Sequence, residues 1–212
     1  MFVTDVTARG WEVTVEAEET RQRISRAVWD TVAEVGIEAT TVRAVAVKAD
    51  CTTGLIMHRF GSRSAMLVHA RQTLFERTAA RASSIEDGGH GTAAERLIDV
   101  VSSVLPLDEE RIVEARIWTG FAAAAVADSE LRELHVQNTR QWLARITGLV
   151  AELGTHITDV DAVEYAQEIV TAVEGIVVLA VLDGETYPPA LQERLACRAV
   201  TDVVDRIAGV RR

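Results

Sequence analysis

Between Arg21 and Val35 the inward-type positions Ile24, Ala27, Val28, Thr31, Val32 and Val35 recur at i, i+3, i+4 and i+7 spacing, and Gly36 follows them. That period predicts an amphipathic helix with a stop at the glycine. Thr40 then caps a short second segment in which Val42, Val45, Ala46 and Ala49 share one face. After a turn at Asp50 and Cys51, Thr52 caps a third segment with Leu55, Ile56 and Phe60 inward, and Gly61 ends it. Ser62 opens a longer fourth helix through Met66, Leu67, Ala70 and Leu74, which fades into the polar, glycine-rich stretch from Ser83 to Gly91.

Beyond that connector the helical period continues. Thr92 and Glu95 form a capping box ahead of Leu97, Ile98, Val101 and Val104, and Pro106 interrupts. Four further helices are predicted over residues 108–126, 129–153, 160–182 and 188–207, the last opening on Pro188 and Pro189, which suit a first turn. The one alternating stretch is "WEVTV", Trp11 to Val15, and no internal repeat is visible. The expectation is an all-α chain with a flexible arm over residues 1–17, a small helical module over 18–80 and a larger helical body over 81–212.

Charge sharpens this division. The chain of 212 residues carries a net charge of −10, which argues against wholesale binding to nucleic acid or anionic lipid. Yet the segment from Thr20 to Arg71 holds eight basic and four acidic side chains, whereas the rest holds fourteen basic and twenty-eight acidic ones. A basic module is therefore joined to an acidic body. The longest nearly apolar span, Ile169 to Leu182, is broken by Glu174 and Gly175 and falls short of the roughly 18 residues of a membrane crossing. The first twenty residues lack a basic start and an apolar core, so no secretory signal is expected and the cytoplasm is the expected compartment. Cys51 and Cys197 fit neither a disulfide framework nor a zinc site, and no metal or other cofactor is expected.

Two short helices joined by a tight turn, the second beginning at a capped threonine, make a helix-turn-helix. On its second helix Thr53, Gly54, Met57 and His58 share the face opposite Leu55, Ile56 and Phe60. No acid occurs between Cys51 and Arg63. A helix with that outward strip can enter a major groove about 12 Å wide without repelling phosphates, and Gly54 lets the backbone come close. His58 could donate to a guanine edge or a phosphate, or be a solvated surface residue. Cys51 sits at a helix start, where thiols can be activated for a redox role, or it can serve simply as a small apolar packing residue.

"RQRISRAVWDTVAEVG", "ATTVRAVAVKA" and "TTGLIMHRFGSRSAML" resemble, in order, the three parts of the DNA-binding module of the tetracycline-repressor (TetR) family. "RIWTGFAAAAVADSELRELHVQNTRQWLARI" is similar to the ligand domain of the branch containing betaine-pathway repressors. The resemblance implies an obligate homodimer on palindromic double-stranded operator DNA, released when a small-molecule effector fills a pocket in the carboxy-terminal helices. In that frame Thr41, Arg43, Thr52 and Arg63 hold phosphates, and Thr53, Gly54, Met57 and His58 face base edges. Three departures stand out: Asp50 where the family has glycine in the turn, Met57 for tyrosine, and Arg63 for lysine. Aspartate tolerates the left-handed backbone better than most residues, so the turn is expected to survive. The rival expectation is a small-molecule binding protein of the same fold that has lost operator recognition.

Effector contacts are expected among Trp118, Phe121 and Trp142, as an aromatic cage or equally as core, and among the polar groups His135, Gln141, Arg145 and Glu174. The last two helices present long apolar faces, Val170, Val173, Ile176, Val177 and Ala180 on one and Leu191, Leu195, Ala199 and Val203 on the other. Pairing with the same helices of a second copy would cover them and set two recognition helices about 34–36 Å apart, or a multiple of it. An enzyme is not expected. The glutamate–histidine neighbours Glu86/His90 and Glu152/His156 are four apart rather than three, and no nucleophile elbow, phosphate loop or HExxH sequence occurs.

Overall fold

The computed structural model describes the backbone of residues 6–89 and 91–209 and the side chains of residues 17–89 and 91–209. The described residues form helices and no strand: α1 (Val6–Ala39), α2 (Val42–Lys48), α3 (Thr53–Phe60), α4 (Arg63–Asp87), α5 (Ala93–Ser102), α6 (Glu109–Ala124), α7 (Ser129–Ala151), α8 (Asp159–Leu182) and α9 (Pro189–Ile207). They divide into two compact units, Met1–Thr73 and Leu74–Arg212. The division falls inside α4, earlier than the boundary after residue 80 that the sequence suggests.

In the first unit, α1 is broken at Gly36, whose φ of 79° and ψ of 167° leave the helical region. Only glycine adopts that conformation without steric cost, so the predicted stop is a backbone fact. Before it, Ile24, Ala27, Val28 and Val32 are buried, together with Trp29, whose Nε1 donates to Ala70 O at 2.8 Å. Val35 is the exception to the predicted face, being 56% exposed. The stretch read as an arm joins α1 from Val6 onward, "WEVTV" included, while residues 1–5 lie outside the described residues. Five alternating residues without a partner strand do not make a sheet, and extending an existing helix needs no new nucleus.

The caps follow local chemistry. Thr52 Oγ1 accepts from Leu55 N at 3.1 Å and Ser62 Oγ from Ala65 N at 3.0 Å, as predicted. Thr41, rather than Thr40, caps α2 by accepting from Ala44 N at 3.1 Å. Thr40 is buried and donates instead to Gly36 O at 2.8 Å, closing the kinked end of α1.

In the second unit, α4 runs on to Asp87, so the glycine-rich connector is shorter than the sequence suggests. Thr92 and Glu95 form the reciprocal capping box that opens α5. The core gathers Leu97, Val100, Val101 and Leu105 with Ile146, Leu149 and Val150 of α7, Ile169, Val170 and Val173 of α8, and Ala196, Val200 and Val203 of α9. α8 is long and apolar enough to cross a membrane by length and composition, with a mean hydropathy of 1.7. Its buried side chains, from Ala162 to Ala180, instead pack in this core, where α8 contacts α7 and α9.

That packing corrects the predicted dimer surface. Val170, Val173, Ile176, Val177 and Ala180 of α8 and Val203 of α9 are buried inside the protomer, so they cannot form an interface. Leu191, Leu195 and Ala199 are half-buried. The side of α8 that faces outward carries Thr171, Gly175, Leu179 and Leu182, the last 75% exposed.

Candidate nucleic-acid interface and ligand pocket

The recognition surface is built from α2 and α3. Val45 and Ala46 of α2 and Ile56 of α3 are buried, which turns Thr53, Gly54, Met57 and His58 to the outside, all four exposed. Asp50 has φ 48°, the left-handed value that the turn demands, and Cys51 N donates to Ala46 O at 3.0 Å to close it. The aspartate thus occupies the glycine conformation with the turn intact. A Cβ at Gly54 would meet nothing nearer than Thr52 Oγ1 at 3.8 Å, so the protein itself does not require glycine there. Burial pushes the Cys51 thiol above its ordinary pKa, Arg23 opposes this and Asp50 adds to it. The net direction makes Cys51 less, not more, reactive.

Arg43 is exposed on α2. Thr41 and Thr52 use an acceptor lone pair of the hydroxyl in capping, which leaves the hydroxyl proton for a phosphate oxygen. Arg63 is different. It is half-buried and donates through Nε to Thr40 O at 2.7 Å and through Nη2 to Ile37 O at 2.5 Å. These carbonyls lie where Gly36 interrupts α1, and a forked guanidinium satisfies two at once. The group expected at a phosphate thus also serves as an internal strut of the module.

A pocket lies wholly within the second unit, with a cavity volume of about 60 Å³. Its walls are Leu74, Phe75 and Thr78 of α4, Val104 between α5 and α6, Glu114, Ala115 and Trp118 of α6, Trp142 of α7, and Val173, Glu174 and Val177 of α8. Three aromatic rings and two carboxylates line it, and no lining residue is basic. Trp118 Nε1 donates to Glu174 Oε2 at 3.3 Å, tying an indole to a carboxylate across α6 and α8. Glu114 is bound by Arg81, at 2.9 and 3.0 Å, and by Arg77 at 3.3 Å.

Of the residues expected at an effector site, Trp118, Trp142 and Glu174 come together here. Phe121 does not line the pocket; it is buried in the packing of α6. His135 stands behind the wall, its ring 6.0 Å from that of Trp118. Gln141 is exposed, and Arg145 is engaged by Glu86 and Ser83 at a separate groove. The sequence reading missed Phe75, Thr78 and Glu114. Glu114 stands four residues before Trp118, a spacing that puts both on one helix face, and that was the available signal. Val173 and Val177, read as interface, are pocket wall.

Among the described residues no group of three or more histidine, cysteine or acidic side chains is placed to hold a metal ion.

Comparison with known proteins adds the family. Residues 26–70 match the family described as "Bacterial regulatory proteins, tetR family", and residues 93–205 match "BetI-type transcriptional repressor, C-terminal". The transcriptional regulator BetI of Burkholderia mallei is 24% identical over 195 residues, covering 90% of this chain and 94% of that protein. A crystal structure of a transcriptional regulator from Rhodococcus sp. Rha1 superposes with a TM-score of 0.80 at 28% identity, covering 88% of this chain and 96% of the other. A regulator from Saccharomonospora viridis, solved in complex with choline, gives 0.73 at 19% identity, covering 89% and 96%.

Proposed function

The chain belongs to the tetR family of bacterial regulatory proteins, with a BetI-type repressor carboxy-terminal domain, and from that premise we propose a homodimeric, operator-binding repressor whose effector is a small organic cation. The observation that carries the effector class is the pocket lining: three aromatic rings, two carboxylates and no base. Indole faces attract a cation by their quadrupole, and a carboxylate in a partly dry site strengthens that preference. An anionic effector such as an acyl-coenzyme A would meet two carboxylates and no basic lining residue there. The choline held by the Saccharomonospora viridis regulator belongs to the same chemical class.

On the DNA side, Arg43, Thr41 and Thr52 position the phosphate backbone, while Thr53, Gly54, Met57 and His58 lie against base edges. Met57 offers an apolar surface to a thymine methyl, and His58 a donor to a base or phosphate. A second copy docks on the outward strip of α8 and the half-buried Leu191, Leu195 and Ala199 of α9. Gly175 supports this reading. It is exposed in mid-helix with open space where a Cβ would stand, so nothing in the protomer calls for it, whereas close approach of a second helix does.

Thermal-shift measurement with choline and with stearoyl-coenzyme A tests the effector class. Choline is expected to raise the melting temperature, and Trp118→Ala or Glu174→Gln to abolish the rise. Stabilisation by the acyl-coenzyme A alone would overturn the reading.

A further inference from the structure

Between Val42 and Phe60, the span of the helix-turn-helix, Asp50 is the one acidic side chain. It is exposed, its φ of 48° makes the turn between α2 and α3, and it stands two residues before Thr52, the N-cap of α3. The N-terminal residues of a recognition helix are the ones that reach base edges, so a carboxylate here stands where the phosphate backbone passes. Glycine would hold the same backbone without the charge. Unless a cation stands beside it, Asp50 therefore opposes the binding that the rest of this face favours.

Arg23 supplies that cation. It lies on the exposed side of α1, next to the buried Ile24, and α1 packs against α2. Burial is the main influence on the Cys51 thiol, but Arg23 also lowers its pKa and Asp50 raises it, so both charges reach the turn. Among the described residues, neither the Arg23 nor the Asp50 side chain has a hydrogen-bond or ion-pair partner. Both are available to a third group.

We infer that Arg23 is a DNA-positioning residue outside the helix-turn-helix: it meets a phosphate beside the α2–α3 turn and offsets the charge that Asp50 brings to that contact. The inference rests on the recognition surface proposed above and extends it to α1. A guanidinium carries five N–H donors in a planar fork, enough to hold a phosphate oxygen and face a carboxylate at once. Asp50 then stays at the DNA with its repulsion cancelled, and it draws Arg23 toward the turn.

The test is operator binding across a salt titration, with the full-length protein and a duplex that the parent selects from a random pool. Arg23→Ala should weaken binding about five-fold near physiological salt and reduce the log–log salt slope by about one. Asp50→Asn tolerates the same left-handed backbone and should tighten binding about two-fold or more, with a steeper slope. The double variant loses one charge of each sign, so it should recover the parent's slope and lie within about three-fold of its affinity. Both side chains are exposed and unpartnered, so the melting temperatures should match the parent's. An Arg23→Ala slope equal to the parent's would remove the phosphate contact. Unchanged affinity and slope in Asp50→Asn would leave nothing for Arg23 to offset, and tightening by Asp50→Gly alone would assign the effect to the backbone of the turn; either result refutes the pairing. A parent that enriches no duplex from the pool would overturn the recognition surface itself, and is told apart from these results before any variant is made.

Discussion

Gly54 is the second residue of α3, has no positive φ and has room for a methyl group. Nothing within the protein calls for glycine there, which fits the proposed close approach of DNA to the exposed face it shares with Thr53, Met57 and His58. Gly54→Ala should fold with an equal or higher melting temperature, since alanine is the better helix former, yet bind its operator at least about ten-fold more weakly. Unchanged affinity in a gel-shift titration would remove Gly54 from the interface. Arginines 43 and 63 separate by the same logic. Arg43→Ala should reduce the log–log salt slope of binding by about one and leave stability alone. Arg63→Ala should cost about 1–3 kcal/mol of unfolding free energy, because two carbonyls at the break in α1 lose a charged donor. Denaturant melts of both variants distinguish the strut from the clamp. From sequence both are basic residues in a basic segment; only the carbonyls exposed by the Gly36 kink show which one is structural.

At the scale of the element, several helix caps are legible in the sequence, while the cap of α2, the end of α4 and the helix faces are only partly so. Thr52, Ser62 and the Thr92–Glu95 box cap as read because capping depends on neighbours within one turn. The face of α8 was not legible. It is apolar on more than one side, so periodicity cannot tell the residues that fill the protomer core from those that would meet a second copy. The pocket is harder still, since its walls come from α4, α6, α7 and α8, and Phe75 lies on a helix whose start belongs to the DNA-binding module. The cap carboxylates also give a pH expectation. Glu95 and Asp108 are held below their ordinary pKa by the backbone N–H groups of Thr92 and Arg111. Asp183 is lowered likewise by Thr186, and Glu168 by its hydrogen bonds with Arg206. A lowered native pKa contributes stability above the unfolded value, near pH 4, and that contribution is lost as pH falls through the native value. The melting temperature should accordingly fall below about pH 4. The double variant Glu95→Gln/Asp108→Asn should show a shallower acid limb, and a limb identical to the parent's would refute this.

For the whole molecule, assembly and release are the properties at stake. Leu182→Glu, on the outward side of α8, should yield a folded monomer by light scattering, because a charge set into an apolar interface opposes docking without touching the core. Val177→Glu should instead unfold the second unit, since Val177 is 5% exposed within the protomer. Circular dichroism separates the two, and a dimeric Leu182→Glu would move the interface elsewhere. The central claim is that a cation in the Trp118–Trp142–Glu174 pocket and operator DNA bind competing states of one dimer. Linkage then requires each ligand to weaken the other by the same factor. The most direct measurement is the operator dissociation constant, on a duplex selected from a random pool, across a choline titration, with choline affinity measured in turn on free and DNA-bound protein. The account predicts that the operator constant rises to a plateau at least about five-fold higher, the same factor appears in the choline affinity, and Glu174→Gln removes both. An operator constant that stays flat while choline demonstrably occupies the pocket would contradict it.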